Sequence, residues 1–117
     1  MKRILIVDDS RVSRKMIRNM LELKGYEVVG EAINGKEGLE LYVRLLPDVV
    51  LMDITMPEMN GIEALKAIRN HRADAKVIII SAAGQDDKKI EAIKAGAENF
   101  ISKPYDNKDI LEAIEKC

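Results

Sequence analysis

Five short apolar runs punctuate the chain, at 4–7, 26–29, 48–52, 76–80 and 99–101. The first, third and fourth are rich in Ile, Val and Leu without polar alternation, the pattern of strands buried on both faces of a parallel sheet. Segments with helical spacing separate them. Over 11–24, Val12, Met16, Ile17, Met20 and Leu21 fall on one side, and Arg11, Arg14, Lys15 and Arg18 on the other. Gly25 stands where a helix ends. Asn34 predicts the cap of a second helix, with Leu39, Tyr42, Val43 and Leu46 inward and Pro47 as its stop. A third helix is expected from about Gly61, with Ile62, Leu65 and Ile68 inward. A fourth runs over 85–95 and closes at Gly96, and a fifth follows Asp106 or Asn107, carrying Ile110, Leu111 and Ile114.

Strand and helix thus alternate five times. Parallel strands require right-handed crossovers, so helices must cover both faces of the sheet. The expected fold is a single α/β domain over 1–117, a doubly wound, flavodoxin-like (βα)5 arrangement with a five-stranded parallel sheet. The side chains at the strand ends suggest its order. The first run ends in Asp8 and Asp9, the third in Asp53, the fourth in Ser81 and the fifth in Lys103. The second ends in no comparable group and suits an outer position, which favours the order 2-1-3-4-5.

Composition narrows the class. Over 117 residues, 47% are hydrophobic and 33% charged, an ordinary globular mixture. A formal charge of -1 offers no basic face for duplex DNA. One cysteine, Cys117, excludes an internal disulfide framework and makes a reducing cytoplasm the expected location. No apolar stretch approaches a membrane span.

In a parallel sheet the strand ends named above are all carboxyl ends, where open α/β sheets bind ligands. Asp8, Asp9 and Asp53 brought together would repel one another unless a cation sat among them. Oxygen ligands without His or Cys suit a hard ion, and so few of them suit Mg²⁺. With a lysine and a hydroxyl beside it, such a centre can neutralise the oxygens of a transferring phosphoryl group, and an aspartate can itself be the acceptor. Each residue also has a plainer reading. Asp9 or Ser10 would cap the first helix, Asp53 would end a strand, Ser81 would form a turn, and Lys103-Pro104 would be a surface turn. Their joint placement at successive strand ends favours the chemical reading.

The segments Leu-Ile-Val-Asp-Asp-Ser (5–10), Leu-Met-Asp-Ile-Thr-Met-Pro-Glu-Met-Asn-Gly (51–61), Ile-Ser-Ala (80–82), Lys-Ala-Gly-Ala (94–97) and Lys-Pro (103–104) resemble those of response-regulator receiver domains. The surroundings of Asp53, with Ser-Ala-Ala-Gly-Gln at 81–85, look most like stand-alone chemotaxis regulators of the CheY type. The resemblance implies a two-component response regulator with Asp53 as phosphoacceptor from a sensor histidine kinase. It implies Mg²⁺ held by Asp9, Asp53 and the Thr55 carbonyl, with Asp8 acting through water. Lys103 would pair with the phosphoryl oxygens, Ser81 would bond the phosphoryl group once formed, and Ala82 would leave room for it. The Lys103–Pro104 bond would be cis. Phe100 would be the switch aromatic, turning inward to alter the face formed by helix 4, strand 5 and helix 5.

Phe100 stands where the family often has Tyr, so no hydroxyl helps to hold the inward state. Thr55 and Ala83 flank the path of an attacking water and, being neither acidic nor amides, are expected to position it weakly. Arg11, Arg14, Lys15 and Arg18 read alone as a solvated helix face, although in this family the first helix docks on the kinase. His71 is expected at the far edge of the sheet, and Met56 and Met59 in the loop after Asp53, within reach of a partner. The chain is expected to be no enzyme beyond its own phosphorylation and dephosphorylation, to be a monomer, and to act on a separate target. A receiver cut from a larger transcription factor or enzyme, or a phosphate-independent scaffold, are the alternatives. A haloacid-dehalogenase-type hydrolase would need Asp-x-Asp where this chain has adjacent Asp8 and Asp9. A flavodoxin-like nucleotide carrier would need a glycine-rich phosphate loop.

Overall fold

The computed structural model describes residues 2–82 and 84–117. Its elements are β1 (Arg3–Val7), α1 (Arg11–Leu23), β2 (Glu27–Ala32), α2 (Gly35–Leu45), β3 (Val49–Asp53), α3 (Gly61–His71), β4 (Val77–Ser81), α4 (Asp86–Lys94), β5 (Asn99–Ser102) and α5 (Asn107–Glu115). All four strand pairings are parallel, in the order β2-β1-β3-β4-β5, as the strand ends suggested.

Apart from Arg3 at the start of β1 and Asp53 and Ser81 at the ends of β3 and β4, the central strands are apolar because they have no solvent face. Leu5, Val7, Val50, Met52, Val77 and Ile79 pack on one side with Tyr42, Ile62, Leu65, Ile68 and Ala92 from α2, α3 and α4. Their neighbours Ile4, Ile6, Val49, Leu51, Ile78 and Ile80 pack on the other with Ile17, Met20, Leu21, Ile110 and Ile114 from α1 and α5. Alternate residues of each strand therefore serve two cores, as the two-residue period of a strand requires.

Local signals fix the helix ends. The Ser10 side chain accepts from Ser13 N at 3.2 Å, Asn34 from Glu37 N at 2.8 Å, and Asn60 from Glu63 N at 2.9 Å. Gly25 and Gly96 follow α1 and α4 at φ 86° and 98°. Lys2 Nζ donates to the carbonyls of Ile114 and Cys117, tying the end of α5 to the start of the chain.

Several expectations are corrected. β2 runs on to Ala32, with a register shift between Ile4 and Leu5 that leaves Val29 unpaired with β1. Gly30 is closely packed there: a β-carbon would come within 3.1 Å of Leu45 Cδ1. Val12 and Met16 are not core residues; they are 69% and 66% exposed, and only Ile17, Met20 and Leu21 of α1 are buried. Val43 and Leu46 also face solvent. Pro47 disfavours the right-handed helical conformation at Leu46, which caps α2 with φ 46° instead. Met56 is buried, so it does not face a partner, while Met59 is half-buried against the core. His71 is the exposed last residue of α3.

Candidate functional site

Asp8, Asp53 and Ser81 are the buried polar side chains among the described residues, at 5%, 8% and 0% exposure. All three stand at carboxyl ends of neighbouring strands. Burial of a polar group without purpose is costly, so their convergence at one edge marks the site. Carboxylate oxygens of Asp8, Asp9 and Asp53 lie within 4.8 Å of one another. Asp9 is exposed and opens the cluster to solvent.

The electrostatics follow from that crowding. Burial, reinforced by the charge of Asp8, pushes the Asp53 carboxyl from its usual 3.8 up to about 6, against the opposing pull of Lys103. Burial also raises Asp8, while the Ser10 N–H, 2.8 Å from its Oδ1, and the Lys103 charge work the other way. Tyr105 is half-buried and its phenol is raised by burial and by the nearby charges of Asp8 and Asp53. An all-oxygen trio of this kind fits a hard divalent cation, and the cost of holding three carboxyls together is the physical reason.

The surrounding loops are built around the cluster. Lys103 follows β5, and its backbone N–H donates to Ser81 O at 2.7 Å, joining the ends of β4 and β5. The Lys103–Pro104 bond is cis. The Ser81 hydroxyl is occupied: its one proton has two acceptors in reach, Gln85 Oε1 and Ala82 O at 3.1 Å. Ala82 is exposed at the start of the β4–α4 loop, and Thr55 is exposed just after β3. Phe100 on β5 is half-buried and packs against the core that includes Ala92 of α4. Ala83 lies outside the described residues.

Other contributors were not anticipated from the sequence. Gly35 and Gly61 hold the β3–α3 loop from both sides. A β-carbon on Gly35 would meet Met59 O at 2.1 Å, and one on Gly61 would meet Asp53 O at 2.1 Å. Neither has positive φ, so only the tertiary contact reveals the need for glycine. Half of the expected solvated stripe on α1 is also engaged. Arg14 and Arg18 both pair with Glu31 of β2, at 3.1 and 2.6 Å.

The comparisons with known proteins agree with this arrangement. Residues 4–115 match the response regulator receiver domain. The chemotaxis protein CheY of Thermotoga maritima is 53% identical over 115 residues, covering 98% of this chain and 96% of that protein. CheY of Bacillus subtilis is 53% identical, covering 97% and 95%. A solved complex of CheX, CheY, BeF3 and Mg from Borrelia burgdorferi contains a chain that superposes with a TM-score of 0.93 at 33% identity, covering 98% of this chain and 87% of that one. Phosphorylation on aspartate by a kinase is the general function of this family. The chain therefore belongs to the response regulator receiver domain family and is closely related to the CheY chemotaxis regulators.

Proposed function

We propose that Asp53 accepts a phosphoryl group from the phosphohistidine of a sensor kinase, and that the change is read on the face formed by α4, β5 and α5. The observation that carries this reading is a buried carboxyl crowded by Asp8 and Asp9, with Ser81 on the neighbouring strand. In the transfer, an Asp53 carboxylate oxygen attacks phosphorus, the P–O bond forms, and the P–N bond breaks with its electron pair going to the imidazole. Lys103 supplies positive charge toward the developing phosphoryl oxygens. The Ser81 hydroxyl, turning from Gln85, offers a donor to the product, and exposed Ala82 leaves the approach open.

Asp9, Asp53 and the Thr55 carbonyl are the groups to hold Mg²⁺, with Asp8 acting through water. When bound, the ion offsets the repulsion of the carboxylates and of the incoming phosphoryl group. Ser81 drawn toward the phosphoryl group leaves space behind it that Phe100 can fill, changing the neighbouring surface. Phe100 has no hydroxyl to fix the inward state, so packing alone biases it. The chain acts as a switch that catalyses only its own phosphorylation and dephosphorylation. Its relatives' names favour a role in chemotaxis, and the proposal includes a cytoplasmic location and a separate protein target. Among the described residues no helix is long and apolar enough to cross a membrane.

Titration with beryllofluoride in the presence of Mg²⁺ tests the reading. The native chain is expected to bind one equivalent and Asp53→Asn none; equal binding by both would overturn it.

A further inference from the structure

We propose that Arg14 is a positioning residue for the cation site, locking the turn that carries Asp8 and Asp9; the inference rests on the Mg²⁺ reading above. The β1 ladder ends at Val7, so the peptide groups of Asp8 need partners beyond it. Its N–H donates to Ala32 O at 3.0 Å. Its carbonyl accepts from Arg14 Nη1 at 2.7 Å. The same guanidinium donates through Nε to Glu31 Oε1 at 3.1 Å and is only 13% exposed. One planar fork thus joins the first turn of α1, the end of β2 and the backbone of the acidic turn. A guanidinium can serve two acceptors in fixed directions, and an ammonium cannot reproduce that fork.

Arg18 is the natural control. It pairs with the other Glu31 oxygen at 2.6 Å and with Glu22 at 3.4 Å, but makes no bond to Asp8. Both arginines tie α1 to β2, and only Arg14 continues to the turn that bears the carboxylates.

Charge and geometry predict opposite signs. Arg14 is a cation beside a cation site, so removing its charge alone would tighten Mg²⁺ binding. Removing its hold on the Asp8 carbonyl would loosen the site. Lost outer-shell support typically weakens metal binding by about 10–100-fold, and the geometric effect should dominate.

The test is calorimetric Mg²⁺ titration of native protein, Arg14→Gln, Arg14→Lys and Arg18→Gln at neutral pH, with the folded fraction of each checked by urea denaturation. Arg14→Gln is expected to weaken Mg²⁺ binding by about tenfold or more. Arg14→Lys, which keeps the charge and loses the fork, is expected to weaken it by at least about threefold. Arg18→Gln should lose stability but bind Mg²⁺ within about twofold of native. Should Arg14→Gln not fold, Arg14→Lys carries the comparison. Unchanged or tighter binding in the Arg14 variants, or an equal loss in Arg18→Gln, would overturn the inference while the cation site itself stands. Absence of Mg²⁺ binding by the native chain would overturn both.

Discussion

Gly61 lies so close over Asp53 that a β-carbon on it would sit 2.1 Å from the Asp53 carbonyl oxygen. The Gly61 N–H meanwhile donates to Ile54 O at 2.8 Å, and Asn60 caps α3 immediately before it. The end of β3 and the start of α3 are thereby clamped together, with the proposed phosphoacceptor between. Gly61→Ala must displace backbone rather than a pliable side chain. It is expected to cost about 2–4 kcal/mol in urea denaturation and to weaken Mg²⁺ binding. A loss below about 0.5 kcal/mol would show that the clamp yields easily.

The crowding of the acids sets the pH dependence of the metal-free protein. Asp53 titrates near 3.8 when unperturbed and about 6 in the fold, so the native state holds this proton more tightly than the unfolded chain. Its contribution to stability is fully present below about pH 4 and is lost as pH rises through 6. A shift of this size corresponds to roughly 3 kcal/mol. Asp53→Asn should therefore stabilise the metal-free protein at pH 7 by about 1–3 kcal/mol and flatten its pH profile. Mg²⁺ should stabilise the native chain at pH 7 and do less at pH 4, where Asp53 is protonated. Urea midpoints at the two pH values, with and without the ion, check each part.

Occupation of the Ser81 hydroxyl by Gln85 opposes its use by a phosphoryl group. Gln85→Ala removes that competitor, leaving the more distant Ala82 O, and should tighten beryllofluoride binding by up to about three- to tenfold, the value of one ordinary hydrogen bond. Ser81→Ala removes the donor and should weaken binding by about tenfold or more. Equal affinities for native and Gln85→Ala would mean that the contact does not restrain the serine.

Glu58 adopts φ 68° in the β3–α3 loop, a conformation that favours glycine. Glu58→Gly should raise stability by about 0.5–1 kcal/mol, the relief of strain exceeding the added chain entropy. Thermal and urea unfolding would detect the gain, and a net loss would show that the Glu58 side chain supports the loop.

How much was legible in the sequence follows from how each feature is encoded. The strands and their order are readable because β1, β3 and β4 serve two cores and have apolar interiors, while the acids and Ser81 punctuate their ends and Lys103 that of β5. Helix starts were readable from Asn34 and Gly61, and Ser10 was weighed as a cap. Periodicity overstates the burial of α1, because Val12 and Met16 share the helical period of Ile17, Met20 and Leu21 yet are exposed. Leu46 leaves the helical face because the helical conformation fails one residue before Pro47. Gly35 and Gly61 as clamps, and Arg14 as the partner of the Asp8 carbonyl, depend on contacts between distant elements that no local pattern records.

Phosphorylation of Asp53 is the central claim, and intact mass after incubation with a small-molecule phosphodonor tests it most directly. The native chain should gain one phosphoryl group only when Mg²⁺ is present, and Asp53→Asn should gain none. An adduct that persists in Asp53→Asn, or a native chain that takes neither the phosphoryl group nor beryllofluoride, would contradict the account.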